Sequence, residues 1–231
     1  NSKYIVSVAA NLNMTRTPDV HFISEARQNG AKFTVISPDF SQVAKFSDWW
    51  IPVQAGQDTA LWMAVNHVIL KEFYIDRQVP YFVDYLKQYT DTPFLVELTA
   101  NGDGYKPQQL LRANRLQRYP DIENGDWKLA VWDETSNEPR MPKGAVGFRW
   151  GEEDGKWNLK MEDGVDDSPL DPVLSFLDEH DEVVQVEFLE FAEGNLSLRG
   201  VPARKIQTVD GEVVAVTVFD LLMAQFGVAR G

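Results

Sequence analysis

The sequence predicts an α/β fold in which a parallel sheet with flanking helices is followed by a β-rich region with a terminal helix. Three observations support this prediction. Over residues 1–100, β-branched and aromatic runs alternate with segments of helical periodicity, a pattern typical of parallel strands joined by crossover helices. Short strand-like runs replace this pattern over residues 101–231. The last apolar run, residues 219–227, has the spacing of a helix that ends at a glycine.

The first region contains three predicted strands separated by predicted helices. Thr17 is placed to cap the first helix, with Pro18 at its first position, and Asn29-Gly30 is placed to end it. The predicted strands are YIVSVAA (residues 4–10, expected to be buried), KFTVIS (32–37) and WWIPV (49–53). The later helices are FSQVAKFS (40–47), TALWMAVNHVILKEFY (59–74) and PYFVDYLKQY (80–89).

The second region changes character after a break at residues 101–104. Asp210-Gly211 lies between two β-branched runs, which is a strong signal for a hairpin. The remaining predictions are a helix at QQLLRANRLQ (108–117) and strands at WKLAVWD (127–133), AVGFRW (145–150), KWNLKM (156–161) and VVQVEFLEF (183–191). We therefore predict two parts, residues 1–100 and 101–231. The second is either a separate domain or a mixed α/β insertion or extension of the first lobe.

The composition excludes several classes of protein. The chain has no cysteine and three histidines, so disulfides and thiolate chemistry are excluded and a histidine-rich metal site is not expected. The formal charge of −13 arises within residues 152–193, which carry fifteen acidic and two basic side chains, while the rest of the chain is balanced. We interpret this acidic segment as a solvated insertion. An acidic surface argues against a nucleic-acid partner, because phosphate binding needs a basic face.

We predict that the ligand-binding residues lie in the loops that follow the three strands. Since the carboxyl ends of parallel strands lie side by side, NLNMTRTPD (11–19), SPDF (37–40) and AGQD (55–58) would line one crevice. In the first loop, Asn11, Asn13 and Thr15 offer short polar side chains. Arg16 offers a guanidinium whose fork suits phosphate, and the next helix start adds backbone N–H groups. This loop therefore predicts phosphate binding without a glycine-rich turn.

The other two loops each carry a carboxylate. Asp39 follows the second strand, where a carboxylate commonly accepts ribose hydroxyls, and the two oxygens of Asp58 match the paired N–H donors of a guanine edge. Both residues are also good helix caps, and Arg16 could equally form a surface ion pair. His67 is interpreted as a half-buried, hydrogen-bonded histidine within a helix. From the residues alone, we predict an α/β nucleotide-binding module.

Three segments together resemble the molybdopterin oxidoreductase superfamily. They are NMTRTPDVHFISEAR, FTVISPDFSQVAKFSDWWIPVQAGQDTALWMAVNHVILKEF and VPYFVDYLKQYTDTPFLV. One branch is similar in GAVGFRWGEEDGKWNLKMEDG and VFDLLMAQFGVARG as well, namely the catalytic alpha subunits of membrane-associated respiratory nitrate reductases. The resemblance runs through nearly the whole chain and implies an internal piece of a longer catalytic chain.

The resemblance implies that residues 1–100 are a Rossmann-like lobe, which holds the guanosine diphosphate end of a molybdopterin guanine dinucleotide. By position, the first loop as far as Thr15 would meet the diphosphate, Ser37, Asp39 and Phe40 the ribose or phosphate, and Gly56, Gln57 and Asp58 the guanine and its ribose. The family usually enters the first loop with Gly-Ser-Asn-Pro, whereas this chain has Ala9-Ala10-Asn11-Leu12. The ligands of the molybdenum and of the iron–sulfur cluster would lie outside this chain, so no catalytic or metal-binding residue is predicted here.

The activity implied by the resemblance is oxygen-atom transfer. Molybdenum held by two guanine dinucleotides would take oxygen from nitrate and release nitrite, with electrons arriving through iron–sulfur centres. The implied partners are the remainder of the catalytic subunit, an iron–sulfur electron-transfer subunit and a membrane anchor subunit, which would place the complex at a membrane. Two alternatives stay open: a related molybdoenzyme that acts on selenate, chlorate or dimethyl sulfide or that oxidises nitrite, and a non-catalytic nucleotide-binding module.

Overall fold

The computed structural model describes residues 2–144, 159–190 and 195–228. The chain forms two compact units, Asn1–Val65 and Asn66–Gly231, while the division predicted at residue 100 stays a prediction. In the first unit the elements are β1 (Tyr4–Val8), α1 (Leu12–Thr15), α2 (Thr17–Gln28), β2 (Lys32–Ile36) and β3 (Trp49–Ile51), and α3 (Asp58–Leu70) begins there and ends in the second unit.

The first unit is built on a parallel sheet, as the alternation of strands and helices predicted. The strand order is β1-β2-β3. The register sets Val8 beside Ile36 and Ile36 beside Ile51, so the carboxyl ends of all three strands are level. The central strand β2 is buried over its last four residues, and its Phe33 and Val35 form the buried core of this unit together with Val43 and Ala44.

The prediction that the first strand is buried is wrong. β1 is an edge strand, and Tyr4, Val6 and Val8 are 57%, 44% and 37% exposed. These side chains alternate along the strand and therefore share one face of the sheet. An apolar run is buried throughout only where other elements cover both faces of the strand. β1 lies at the edge of the described sheet, and the face that carries Tyr4, Val6 and Val8 is left exposed.

The start of α2 also differs from the prediction. Thr17 lies inside the helix, and its hydroxyl donates to the carbonyl oxygen of Asn13 at 3.0 Å instead of capping. The reason is the one-turn helix α1, which occupies part of the predicted loop and presents its last carbonyl groups to Thr17. The end of α2 is as predicted, because Gly30 adopts φ of +91°, a conformation that glycine takes without strain.

The second unit is organised around a closed five-stranded sheet, in the order β10-β11-β12-β4-β5. Its pairs are antiparallel except β5 with β10, which meet in parallel where Tyr105 lies beside Val186. The strands are β4 (Leu95–Asn101), β5 (Gly104–Leu110), β6 (Val131–Asp133), β7 (Glu138–Arg140), β8 (Pro142–Lys143), β9 (Lys160–Asp163), β10 (Glu182–Glu190), β11 (Asn195–Thr208) and β12 (Gly211–Thr217). The helical segments are a π-helix (Lys71–Ile75), α4 (Pro80–Tyr89), a 3-10 turn (Ala113–Arg115) and α5 (Val218–Gln225).

Several predictions for this region are confirmed and one is wrong. The hairpin at Asp210-Gly211, the strand of β10 and the helices α4 and α5 are all present. The helix predicted over residues 108–117 is instead the end of β5 followed by a 3-10 turn, because Val96 in β4 pairs with Leu110 and draws the segment into the sheet. The predicted strand at residues 145–150 lies outside the described residues. Within the described ranges, no helix has the length and apolar character that crossing a bilayer requires.

Part of the acidic segment is buried rather than solvated. Asp163 is fully buried and accepts hydrogen bonds from the hydroxyl of Tyr119 and from Nη1 of Arg140 at 3.1 Å. The backbone N–H of Val165 adds a third hydrogen bond at 2.9 Å. Burial, followed by the neighbouring Asp163, raises the pKa of Tyr119 to about 12, so this phenol stays protonated and remains a donor.

A second buried carboxylate fixes the start of α5. Asp220 is 2% exposed, and burial raises its pKa to about 7, although the backbone N–H of Phe176 and the hydroxyl of Ser175 both donate to it. Thr217 caps the same helix by accepting the N–H of Asp220 at 2.9 Å. The loop at residues 175–176 is thereby tied to the terminal helix.

The raised pKa of Asp220 predicts a pH-dependent stability. A carboxyl group whose folded pKa lies above the ordinary 3.8 stabilises the fold below about pH 4, and this contribution is lost as the pH rises through about 7. Relative to Asp220→Asn, which carries no charge, the wild-type free energy of unfolding should fall by about 2 kcal/mol between about pH 5 and about pH 7. Urea unfolding of both proteins at the two pH values measures this, and an equal difference at both would contradict it.

Candidate functional site

The candidate site lies in the first unit, at the carboxyl edge of the parallel sheet. The pairing of the strands continues one residue past their ends: the N–H of Ala9 donates to Ile36 at 3.0 Å, and that of Ser37 donates to Ile51 at 3.2 Å. The three loops therefore leave the sheet side by side, as the sequence predicted. Every residue predicted to bind nucleotide is carried by one of these loops or by the helix turn that follows it.

The first loop contains a polar atom that lacks a partner. Oδ1 of Asn11 is buried and accepts no hydrogen bond from any described residue. The backbone of Asn11 starts α1, whose first N–H groups, those of Leu12 and Asn13, have no acceptor within the helix. The hydroxyl of Thr15 donates to the carbonyl of Asn11 at 3.1 Å, so this hydroxyl holds the turn together.

Ala9 adopts a strained backbone conformation at the exit from β1. Its φ is +50°, in the left-handed region that favours glycine. A non-glycine residue there costs roughly 1–2 kcal/mol. In the family that the sequence resembles, glycine usually stands at this position. Ala9 therefore adopts a backbone conformation suited to glycine, although its side chain makes that conformation unfavourable.

Replacing Ala9 with glycine should therefore stabilise the protein. The relieved strain exceeds the extra freedom that glycine gains in the unfolded chain, and we expect a net gain of about 0.5–1 kcal/mol. The matched control is Ala10→Gly, whose φ is not positive, and which should destabilise by a similar amount. Thermal unfolding compares the two variants, and a loss of stability in both would contradict a strained Ala9.

The second loop presents two exposed side chains on a buried support. Asp39 and Phe40 are exposed, and the Asp39 carboxylate accepts no hydrogen bond from the described residues. The buried hydroxyl of Ser37 donates to the Asp39 carbonyl at 2.8 Å. Asp39 caps no helix, because the predicted helix at residues 40–47 is reduced to the 3-10 turn Ala44–Phe46, with Val43 at its cap position.

The third loop brings a free carboxylate to the start of α3. Gly56 has φ of +82°, which a side chain would strain, and the turn it makes leads directly into Asp58, the first residue of the helix. Gly56, Gln57 and Asp58 are all exposed. The carboxylate of Asp58 has no hydrogen-bond partner in the part of the chain that the structure describes, so it is available to donors from a ligand.

Side-chain contacts define the surroundings of Arg16 and His67. Nε of Arg16 lies 2.6 Å from Oδ2 of Asp19, so Arg16 forms the exposed ion pair that was one of its two interpretations. Such an exposed pair is weak and can be exchanged for a phosphate contact. His67 is half-buried, and its Nδ1 lies 2.8 Å from the carbonyl oxygen of Phe226, as expected for a satisfied histidine.

Sequence reasoning missed one contributor, Trp50. Its indole N–H donates to the carbonyl and to the hydroxyl of Ser37, at 3.1 and 3.2 Å, and so links β3 to the second loop. No spacing rule joins two residues thirteen positions apart. Sequence reasoning also gave no sign of a separate cavity of roughly 420 Å³ in the second unit, where the two cations Lys87 and Arg204 are ion-paired with Asp171 and Glu179.

Comparison with known proteins identifies the family. The family model described as "Molybdopterin oxidoreductase" matches residues 1–185, which include all three loops of the site. The chain belongs to the molybdopterin oxidoreductase family.

Within this family, the chain is similar to the alpha chains of nitrate reductases. Over 100% of its length, the chain is 43% identical to the nitrate reductase alpha chain of Bacillus subtilis (strain 168) and 38% identical to the respiratory nitrate reductase 1 alpha chain of Escherichia coli (strain K12). Over 97% of its length it is 31% identical to the perchlorate reductase subunit alpha of Dechloromonas aromatica (strain RCB). The chain spans 19% of the length of the two nitrate reductase chains and 20% of the perchlorate reductase chain.

Proposed function

We propose that the three loops hold the guanosine diphosphate end of a molybdopterin guanine dinucleotide, within the catalytic subunit of a respiratory nitrate reductase. The observation that carries the proposal is that the loops bearing Asn11, Asp39 and Asp58 all follow strands whose carboxyl ends are level. Oδ1 of Asn11 is buried and unpartnered, and the two carboxylates accept no hydrogen bond from the described residues. Family membership and 38–43% identity to nitrate reductase alpha chains support it.

The residues present fit the polar groups of such a dinucleotide. The N–H groups that open α1 and the guanidinium of Arg16 suit a diphosphate, while Asn13 and Thr15 border it. Asp39 suits ribose hydroxyls, as carboxylates at the end of a second strand commonly do. Asp58 offers two acceptors to the N–H pair of a guanine edge.

The remaining predicted residues shape the site. Ser37 is 6% exposed, and its hydroxyl holds the backbone of the second loop through the Asp39 carbonyl. The ring of Phe40 is exposed on the same loop. Gly56 and Gln57 form the turn that places Asp58 at the first position of α3. These residues orient the cofactor and act on its retention, whereas the chemistry belongs to the cofactor itself.

We further propose that this unit is part of a Rossmann-like lobe, predicted to extend over residues 1–100. The order β1-β2-β3 matches one half of that fold, in which the first strand is central and another strand pairs with its free edge. The exposed face of Tyr4, Val6 and Val8 supports this, since parallel strands are normally covered. Residues 101–231 would then be an insertion or extension of the lobe.

In this proposal the bound molybdenum supplies oxygen-atom transfer from nitrate, with an iron–sulfur cluster held elsewhere in the complete catalytic chain. The partners would be an iron–sulfur electron-transfer subunit and a membrane anchor subunit, through which the complex is associated with the membrane. The designation "alpha chain" of the Bacillus subtilis and Escherichia coli relatives supports the presence of further subunits. A nitrate substrate is favoured over perchlorate because identity is higher to the nitrate reductases, at 43% and 38% against 31%.

The test is substrate kinetics on the complete purified protein with its native partners. With a reduced viologen dye as electron donor, we expect nitrite to form with two electrons consumed per nitrate, and kcat/KM for nitrate to exceed that for perchlorate, chlorate and selenate. Molybdenum should copurify with the protein. A protein without molybdenum, or one that prefers another oxyanion, would contradict the proposal.

A further inference from the structure

The contacts around the second loop single out a side chain that no ligand is expected to touch. Trp50 lies on β3 and packs against the small core of the first unit. Its indole N–H reaches across to the neighbouring loop and donates to both oxygens of Ser37, at 3.1 Å to the carbonyl and 3.2 Å to the hydroxyl. The Ser37 hydroxyl donates in turn to the carbonyl oxygen of Asp39 at 2.8 Å, so hydrogen bonds link Trp50 to the backbone of Asp39 through Ser37.

The same indole also supports the exposed end of the loop. Phe40 is 57% exposed, and its ring meets that of Trp50 edge to face, with centroids 5.1 Å apart and planes at 77°. Edge-to-face pairs of this kind are favourable beyond simple area burial. Trp50 therefore contacts the loop at both Ser37 and Phe40, on either side of Asp39.

The side chain of Asp39 has no support of its own. Its carboxylate takes no hydrogen bond within the described residues, so its position follows from the backbone of residues 37–40. That backbone is held by the chain of hydrogen bonds from Trp50 through Ser37 and by the N–H of Ser37 on Ile51 at 3.2 Å. Losing the indole N–H would leave the buried Ser37 carbonyl short of a donor and free the turn to move.

We propose that Trp50 is a positioning residue, which fixes residues 37–40 so that Asp39 and Phe40 meet the ribose or phosphate of the bound dinucleotide in a preset geometry. This inference rests on the proposed function. Preorganised contacts gain affinity because less freedom is lost on binding. Loss of the indole donor should therefore increase the rate at which cofactor is lost. The turnover of enzyme molecules that still hold the cofactor should be unaffected.

The experiment compares Trp50→Phe with Trp49→Phe in the complete enzyme with its partner subunits. Phenylalanine at position 50 keeps a ring beside Phe40 but removes the N–H donor together with the five-membered ring of the indole. Trp49 is the matched control, since it is the adjacent tryptophan, is 61% exposed and forms no side-chain hydrogen bond to a described residue. After dilution and timed incubation, GMP released by acid from the protein fraction gives the rate of cofactor loss. Melting temperature and kcat per bound molybdenum are measured in parallel.

We expect Trp50→Phe to lose guanine nucleotide about tenfold faster than wild type while the protein stays folded and kcat per bound molybdenum is unchanged, and Trp49→Phe to match wild type. The inference is overturned if Trp50→Phe retains nucleotide as wild type does, if both variants lose it equally fast, or if Trp50→Phe releases nucleotide only at temperatures at which the protein unfolds. A wild-type enzyme that yields no guanine nucleotide would overturn the proposed function instead.

Discussion

Replacing Asp58 with alanine is expected to weaken retention of the guanine nucleotide by the complete protein about a hundredfold. Asp58 is exposed at the start of α3, and its carboxylate is unpartnered among the described residues. Hydrogen bonds to a charged group are worth about 1.5–3 kcal/mol each, and two would be lost together. The measurement is GMP released by acid per mole of purified protein, with the melting temperature recorded alongside.

Two further variants sharpen this test of Asp58. Asp58→Asn keeps the shape but turns an N–H donor toward the guanine donors, so it should retain little more nucleotide than alanine does. Glu25→Ala removes an exposed carboxylate from α2 in the same unit and should leave nucleotide content unchanged. If Asp58→Ala lowers the melting temperature while nucleotide content stays constant, Asp58 serves only to stabilise the start of α3.

The largest loss of stability is expected from Asp163→Ala. Asp163 is fully buried, and its removal takes from Arg140, whose side chain is 13% exposed, its partner at 3.1 Å and leaves it only the more distant Asp166 at 4.0 Å. It also leaves the hydroxyl of Tyr119 without an acceptor. Breaking one member of a buried ion pair costs about 3–5 kcal/mol, which should lower the melting temperature by several degrees.

Asp166→Ala is the matched control for this second prediction. Asp166 lies in the same acidic segment and pairs with Arg118 and, at 4.0 Å, with Arg140, but its side chain is 44% exposed. Exposed pairs contribute less than about 1 kcal/mol, so this variant should unfold close to wild type. Comparable destabilisation by both variants would show that Asp163 acts as one surface charge among many and not as the centre of a buried network.

The arrangement of the three loops could be predicted from the sequence, because each loop depends on residues that are neighbours along the chain. A parallel strand, a polar loop and a helix start follow one another, and the level strand ends place the three loops after the same edge of the sheet. The glycine that ends α2 was equally readable, since Gly30 takes the positive φ expected of it. The strain at Ala9 was readable only as a departure from the glycine that relatives carry.

The remaining features depend on contacts between residues far apart in sequence. Burial of β1 was mispredicted because its apolar run gives no sign of being at an edge, and the helix predicted at residues 108–117 was overridden by pairing with β4. Asp163 was predicted to be solvated with the rest of the acidic segment, because the sequence does not show that Tyr119 and Arg140 donate hydrogen bonds to it. Trp50 gave no signal, because its role is a hydrogen bond to a neighbouring loop.

The central claim is that the three loops hold a guanine dinucleotide, and nucleotide analysis of the complete native protein tests it most directly. Acid hydrolysis of the purified, molybdenum-loaded protein should release GMP, at two equivalents per molybdenum if two dinucleotides hold the metal. Release of AMP, or of no nucleotide, would contradict the assignment of Asn11, Asp39 and Asp58 to this cofactor.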